Sequence, residues 1–451
     1  MEAAPKSTSS ERVLDLARKA KAASRSMAAL SAADKNAFLS RVALALQDRS
    51  DEILSANAED VAAARLLVES GRISEPAFKR LKLDLPKLRE IVSGVEQVAA
   101  MEDPVGKSTL ETELDDGLTL CRVNCPIGVI GVIFESRPDA LVQISALAIK
   151  SGNAVILKGG AEAEHSNRKL FAILRDAAIA VAVSPECLQL LENREDVRSL
   201  LSADAYVDLI VPRGSNQLVR YVQENTLIPV LGHAEGLCHI YVDPAADLTK
   251  ALDVVIDAKT TYPAACNSVE TVLVHKEIAP GFLPAVVEKL QSQNVEVRCE
   301  QQWIDRLHLQ GVNAATEQDW GTEYCDLILS IRVVDGLDEA IDHINTYGSH
   351  HTEAIITEDA AAFERFFAAV DSAGVYLNAS TRFADGYRYG FGAELGISTS
   401  KLHPRGPVGL DGLVTYKYKL VGNGQTVAMY SGKDARSFKH LAKPDAPGRN
   451  R

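Results

Sequence analysis

Gly128-Val-Ile-Gly-Val-Ile-Phe134 is an apolar run with no charged residue. Such a run reads as a strand buried on both faces, the kind found in parallel sheets covered by helices. The chain beyond it repeats the theme. Pro138 to Lys150 has helical spacing and ends at Ser151-Gly152, and Asn153 to Lys158 is a second apolar strand. Helix 166–180, strand 188–192, helix 195–202, strand 207–211, helix 215–225 and a last strand, Pro229–Leu231, follow. This β-α-β order predicts an open, doubly wound parallel sheet.

Upstream, residues 11–100 are helical almost throughout and rich in alanine, with a capping pattern at Ser31-Ala-Ala-Asp34. The period then changes to two. Ser108–Leu114, the turn Asp115-Asp116-Gly117 and Leu118–Val123 predict a hairpin, and Leu413–Val421 alternates in the same way. Neither pattern suits a parallel sheet. Downstream a second α/β pattern begins, with helix 248–260 and strands at 269–275, 295–299, 327–334, 353–357 and 374–378. Helices are expected at 282–291, 337–347 and 360–369. The fold expected is therefore α/β, with two α/β domains, parallel sheets and a β-hairpin arm. Residues 1–107 and 124–232 are assigned to a cofactor-binding domain and 233–410 to a catalytic domain. Residues 108–123 and 411–425 form the arm, read as an oligomerisation element or a solvated arm, and 433–451 a loosely ordered tail.

Composition excludes several classes. A net charge of −13 over 451 residues argues against nucleic acid as a partner. The 7 cysteines share no repeated spacing, which fits a reducing compartment and no disulfide framework. Cys121 and Cys125 have no second pair to complete a zinc site. No run reaches membrane-spanning length, and the first ten residues lack the apolar core of a signal peptide. The expectation is a cytoplasmic protein with no membrane association.

The chemistry centres on Thr261-Tyr-Pro-Ala-Ala-Cys-Asn-Ser268, where a helix runs into a loop of small residues and a strand runs out. Cys266 is either a small core residue or a nucleophile with room for a substrate carbon. Asn267 and Ser268 can donate hydrogen bonds to an oxyanion. There is no Gly-x-Gly-x-x-Gly. Gly128 and Gly131 fit either close strand packing or ligand approach. Two strand ends stand out, Lys158-Gly159-Gly160-Ala161 and Pro212-Arg213-Gly214-Ser215, the second preceding a helix. Their cations and bare amides suit an anionic cofactor, and equally suit solvated loops.

Several stretches together resemble the aldehyde dehydrogenase superfamily: Cys125 to Asp139, Val155-Ile-Leu-Lys-Gly-Gly160, Val211-Pro-Arg-Gly-Ser215, Gly232 to Asp243, Tyr262-Pro-Ala-Ala-Cys-Asn267, His343 to His350, Asn378 to Gly386 and Phe391 to Ser398. The resemblance covers the chain after about Glu11. It implies a reductive member that converts L-glutamyl 5-phosphate and NADPH to L-glutamate 5-semialdehyde, phosphate and NADP, in proline biosynthesis. Cys266 is then the nucleophile that carries the acyl group as a thioester. The resemblance also implies a homodimer or homotetramer, and suggests association with the glutamate 5-kinase that supplies the labile acyl phosphate.

Residue roles follow from the same resemblance. The superfamily's water-activating glutamate is missing, with Gly232-His233 in its region and Glu235 just after, which suits reduction of the thioester over hydrolysis. His233 and Glu235 remain the candidates to substitute for it. The oxyanion asparagine is replaced within Glu135-Ser136-Arg137-Pro138, so Ser136 joins Asn267 and the Cys266 amide as donors, and Arg137 is a candidate for the phosphoryl group. Ala161 stands where NAD-preferring relatives carry a glutamate, which favours a 2′-phosphate, although Glu162 is adjacent. Glu323 matches the nicotinamide-ribose ligand. Arg382 is a candidate for the substrate α-carboxylate, and Asp385 or Glu394 for the ammonium. Tyr347-Gly-Ser-His350-His351 reads as a turn shaping the pocket, and no metal is expected. Two alternatives stand beside this reading: a CoA-acylating aldehyde dehydrogenase using the same cysteine, or a catalytically silent binding protein of the superfamily.

Overall fold

The computed structural model describes residues 9–135, 137–233, 235–402 and 404–443. Its contacts divide the chain into two compact units. The first comprises residues 1–214, 221–230 and 409–451, and the second residues 215–220 and 231–408. Among the described residues no helix is long and apolar enough to cross a membrane.

In the first unit the run around Gly128 becomes the strand Val129–Phe134, buried at every position. It pairs in parallel with Ala154–Lys158 on one side and Leu209–Arg213 on the other, and Leu188–Leu191 extends the sheet beyond Ala154–Lys158. The entry to this strand depends on Gly128, whose φ is +133°. A Cβ there would stand 2.2 Å from the Asp208 carboxylate. That carboxylate accepts the Val129 amide and is held by Lys21 at 2.6 Å. A Cβ on Gly131 would stand 2.6 Å from Ile210 Cδ1. Of the two readings left open for this glycine pair, close packing is the one that holds.

The N-terminal segment forms five helices, Ser9–Met27, Ala32–Asp48, Ser50–Glu69, Glu75–Leu81 and Leu85–Ala100. The first buries Val13, Ala17, Ala20, Ala23 and Met27, a stripe at spacings of three and four. The second opens with the expected capping box between Ser31 and Asp34. Ser108–Asp115 and Leu118–Pro126 form the hairpin, and Val414–Val421 pairs antiparallel with its second strand.

Two expectations need correction. Pro229–Leu231 is not a strand: only Val230 bridges Ile210, since proline offers no amide to a ladder. The tail from residue 433 is ordered up to Lys443. Leu441–Ala442 pairs with Thr112–Glu113 at the free edge of the hairpin, and Lys439 and Lys443 meet the acidic side chains along it. Residues 444–451 lie outside the described residues.

The second unit is built on a seven-stranded parallel sheet. Its order is Asn313–Ala314, Glu296–Cys299, Ile328–Val334, Val269–His275, Cys238–Val242, Thr352–Ile356, Gly374–Leu377. Val269–His275 and Cys238–Val242 are central and fully buried. One face packs the helices Leu248–Thr260 and Ala279–Ser292 into the larger apolar core, through Val255, Phe282, Val286 and Leu290. The other face packs Leu337–Tyr347 and Ala360–Ala369, through Ile344 and Phe366, against Tyr241, Leu273 and Ile355.

Candidate active site

The cysteine loop lies within the second unit, at the entry of its central strand. The helix Leu248–Thr260 starts on Asp247, whose carboxylate accepts the amides of Thr249 and Lys250. It ends where Thr261 turns its hydroxyl back to Asp257. The loop then closes on itself, with the Ala265 amide on the Tyr262 carbonyl and the Ser268 amide on the Ala265 carbonyl at 2.8 Å. Cys266 is half-buried at its tip.

The two ends of the loop are clamped by a pair that the sequence reading did not pick out. Lys259 Nζ, one residue before the helix end, lies 2.7 Å from Glu270 Oε2, the second residue of the strand, and both side chains are fully buried. Burial pushes Glu270 up to about 7, with the Lys259 charge pulling the other way. Burial likewise pushes Lys259 down, against Glu270. The other Glu270 oxygen accepts the Cys325 amide. Glu323 lies on the same side: it accepts from Asn216 at 2.9 Å, and its charge adds to the upward push on Glu270.

The floor of the loop is a second backbone segment. Gly236 is buried against Cys266, and a Cβ there would stand 2.2 Å from the Cys266 carbonyl oxygen and 2.5 Å from its Cα. The next residue is pinned by Ser349, which accepts the Leu237 amide at 2.8 Å. Cys238 points its thiol at the Cys266 carbonyl, 3.4 Å away. Burial raises that thiol far above the ordinary range and keeps it neutral.

Asn267 and Ser268 are both buried. Asn267 donates from Nδ2 to the Ala384 carbonyl at 2.9 Å, and its own carbonyl accepts from Thr381 at 2.7 Å. The asparagine thus ties the loop to the turn Thr381–Phe383. Ser268 differs from the substrate contact expected of it. It has no exposed surface, and its hydroxyl donates to the Ala258 carbonyl, so it holds loop to helix.

The turn carries Arg382. Its guanidinium stacks 5.9 Å from the Tyr262 ring of the cysteine loop, and its Nε is buried with no hydrogen-bond partner. Burial lowers its pKa, the Arg388 charge adds to this, and Cys266 is the first of the acidic groups that oppose it. A guanidinium with a donor unused among the described residues has the chemistry to bind a carboxylate. Asp385 accepts the amides of Tyr387 and Arg388 with one oxygen, and Glu394 accepts the Gly386 amide. Both candidates for the ammonium therefore flank the same turn.

Two imidazoles converge on the thiol. His233, Cys266 and His351 each offer one atom, and these lie within 4.8 Å of one another. Glu235, the other candidate for a base, is instead engaged by Arg220 and stands apart from this group. His350 and His351 separate: His350 takes a φ of +60° and turns Nδ1 to the Asp371 carbonyl, while His351 is buried with Nδ1 2.9 Å from Thr352 Oγ1.

In the first unit, Lys158 is buried at the carboxyl end of its strand. Burial lowers its pKa, opposed first by Glu162. Its ammonium donates to the Gly159 carbonyl. The Glu162 carboxylate folds over Gly160, within 2.5 Å of where a Cβ would stand. Arg213 ends the neighbouring strand, half-buried, with Gly214 and Ser215 exposed beyond it. Arg137 is exposed at the start of the helix Pro138–Lys150. Ser136 lies outside the described residues.

A half-buried cysteine on a loop that leads into the central strand of one parallel sheet, in a chain whose other unit carries a second parallel sheet, defines a class. The sequence model of the aldehyde dehydrogenase family matches residues 3–304, and the chain belongs to that family. Within it the likeness is narrower. Gamma-glutamyl phosphate reductase 1 of Synechocystis sp. is 54% identical over 429 residues, covering 94% of this chain and 97% of the relative. The crystal structure of gamma-glutamyl phosphate reductase from Thermotoga maritima is 41% identical with a TM-score of 0.89, covering 92% of this chain and 99% of that one. Glyceraldehyde-3-phosphate dehydrogenase from Methanocaldococcus jannaschii, complexed with NADP, shares the fold at 17% identity and a TM-score of 0.65, covering 93% of this chain and 96% of that one.

Proposed function

We propose that the protein is an oxidoreductase that reduces L-glutamyl 5-phosphate to L-glutamate 5-semialdehyde with NADPH, releasing phosphate, as a cytoplasmic step of proline biosynthesis. The observation that carries this reading is 54% identity along nearly the whole length of a gamma-glutamyl phosphate reductase. The intact cysteine loop and the disengaged Glu235 agree with it.

Cys266 attacks the acyl phosphate as a thiolate, forming a carbon–sulfur bond as the carbon–oxygen bond to phosphate breaks. The thiol proton has imidazoles of His233 and His351 close by to receive it. The Cys266 amide and the second N–H of Asn267 face the developing oxyanion. Arg382 takes the substrate α-carboxylate, with Asp385 and Glu394 on the ammonium side. Lys158 and Arg213 hold the cofactor, which supplies the hydride that reduces the thioester. Glu235 pairs with Arg220, and among the described residues no carboxylate joins the group around the Cys266 sulfur to activate water, which suits a thioester that is reduced. The exposed arm strand Val414–Val421, with Tyr416, Tyr418 and Leu420 on its surface, favours a homo-oligomer.

The test runs the reaction backwards. NADP reduction by glutamate semialdehyde should require inorganic phosphate, ignore CoA, and vanish in Cys266→Ser. Turnover without phosphate, or with CoA in its place, overturns the assignment.

A further inference from the structure

His351 is fully buried, yet Nε2 has no hydrogen-bond partner among the described residues. Its other nitrogen faces Thr352 Oγ1 at 2.9 Å, with Cys238 Sγ at 3.8 Å. A buried imidazole nitrogen left unpaired is costly unless something occupies it. His233 donates from Nδ1 to the Ile397 carbonyl at 3.0 Å, which places its lone pair on Nε2. An imidazole oriented by a backbone carbonyl through the opposite nitrogen is the arrangement that metal-binding histidines use. The rings meet edge to face at 5.0 Å, and the Cys266 sulfur completes a set whose three donor atoms lie within 4.8 Å. Donors around tetrahedral zinc are separated by about 3.5 Å, so each has to move by less than about 1 Å.

We propose that Cys266, His233 and His351 form a divalent-metal site of Cys-His-His type that takes Zn²⁺ with water in the fourth position. On binding, a zinc–sulfur bond forms, the S–H bond breaks and its proton leaves to solvent. The metal occupies the sulfur and holds it reversibly closed to acyl groups and alkylating agents. Two imidazoles and a thiolate suit zinc over magnesium or calcium, which prefer oxygen donors. The doubled histidine at 350–351 has no zinc spacing of its own. The site arises because only His351 turns towards the thiol.

The test is made on the full chain without substrate, so it stands or falls separately from the proposed reaction. Cobalt(II) titration should saturate at one equivalent, with a sulfur-to-cobalt charge-transfer band and the intense visible bands of four-coordinate metal. The charge-transfer band should vanish in Cys266→Ser and persist in Cys238→Ser. Removing the partner that orients His351, by Thr352→Val, should weaken cobalt binding about tenfold or more. His351→Gln should abolish saturable binding. Zinc should slow iodoacetamide alkylation of Cys266 in the unmodified protein, and EDTA should restore it. A charge-transfer band that survives Cys266→Ser, affinity unchanged in both His351→Gln and Thr352→Val, or alkylation indifferent to zinc overturns the proposal.

Discussion

Gly236→Ala isolates what the placement of the cysteine contributes. The added Cβ would stand 2.2 Å from the Cys266 carbonyl oxygen, 2.5 Å from its Cα and 2.7 Å from its carbonyl carbon. All three are backbone atoms, so no side-chain rotation relieves the clash. Cβ contacts under 3.0 Å are essentially never tolerated. One of the two segments therefore has to shift by about 1 Å, and a misplacement on that scale costs about 10²-fold in rate. Both segments are pinned, the one carrying Gly236 by Ser349 on the Leu237 amide and the cysteine loop by Lys259–Glu270 and Asn267, so either displacement shifts Cys266 against its surroundings. The expected result is kcat/KM for phosphate-dependent NADP reduction lower by about 100-fold, equal to about 2.7 kcal/mol of transition-state stabilisation. Thermal unfolding measured in parallel separates this from global damage. A variant within threefold of the parent, with unfolding unchanged, would show that the loop tolerates displacement and would refute the argument.

Lys259→Met leaves Glu270 buried without its cation, and at pH 8 urea unfolding should show a loss of about 3–5 kcal/mol, most of it recovered in Lys259→Met/Glu270→Leu; a double variant no more stable than the single one contradicts this. Burial holds Glu270 up at about 7, so the folded chain binds its proton more tightly than the unfolded chain does, and the carboxyl's contribution is full below pH 4.5 and lost as pH rises through 7. The unfolding free energy of the parent minus that of Glu270→Gln should accordingly decline between pH 4.5 and 7, and a difference that is flat or rises across that window is the opposing result. Arg382→Ala should lower kcat/KM for the semialdehyde by about 10–100-fold, the worth of a hydrogen-bonded charge, while alkylation of Cys266 by neutral iodoacetamide stays within a factor of about two of the parent; an equal loss in both assays would make Arg382 a support of the loop and not a substrate ligand.

The α/β architecture was legible because buried parallel strands announce themselves, as Val129–Phe134 and Ala154–Lys158 do. The cysteine loop was legible because a helix, a small-residue loop and a strand follow one another within about 30 residues. What the sequence hid depends on direction. Ser268 looks like a donor in any list of polar residues, yet the turn that puts its amide on the Ala265 carbonyl points its hydroxyl inward to Ala258. Lys259 and Glu270 lie on two different elements, and no periodicity predicts that a helix end and a strand start will face each other. Leu441–Ala442 is too short to carry a strand signal and is ordered by the hairpin edge that it covers.

The supports of the cysteine explain why this loop works as an active site and not as a plain connection. A loop of small residues has little packing of its own and, left alone, would sample many conformations. Here its ends are joined by Lys259–Glu270, its underside rests on Gly236, and its exit is tied through Asn267 to Thr381 and Ala384. Each anchor engages backbone or buried charge and none of them engages the Cys266 sulfur. The same turn that receives Asn267 also carries Arg382, so the group expected to position substrate and the atom expected to attack it move as one body. Rigidity of that kind is what converts binding of the substrate carboxylate into orientation of its acyl carbon, and much of it comes from Lys259, Glu270 and Gly236, which support the loop from behind.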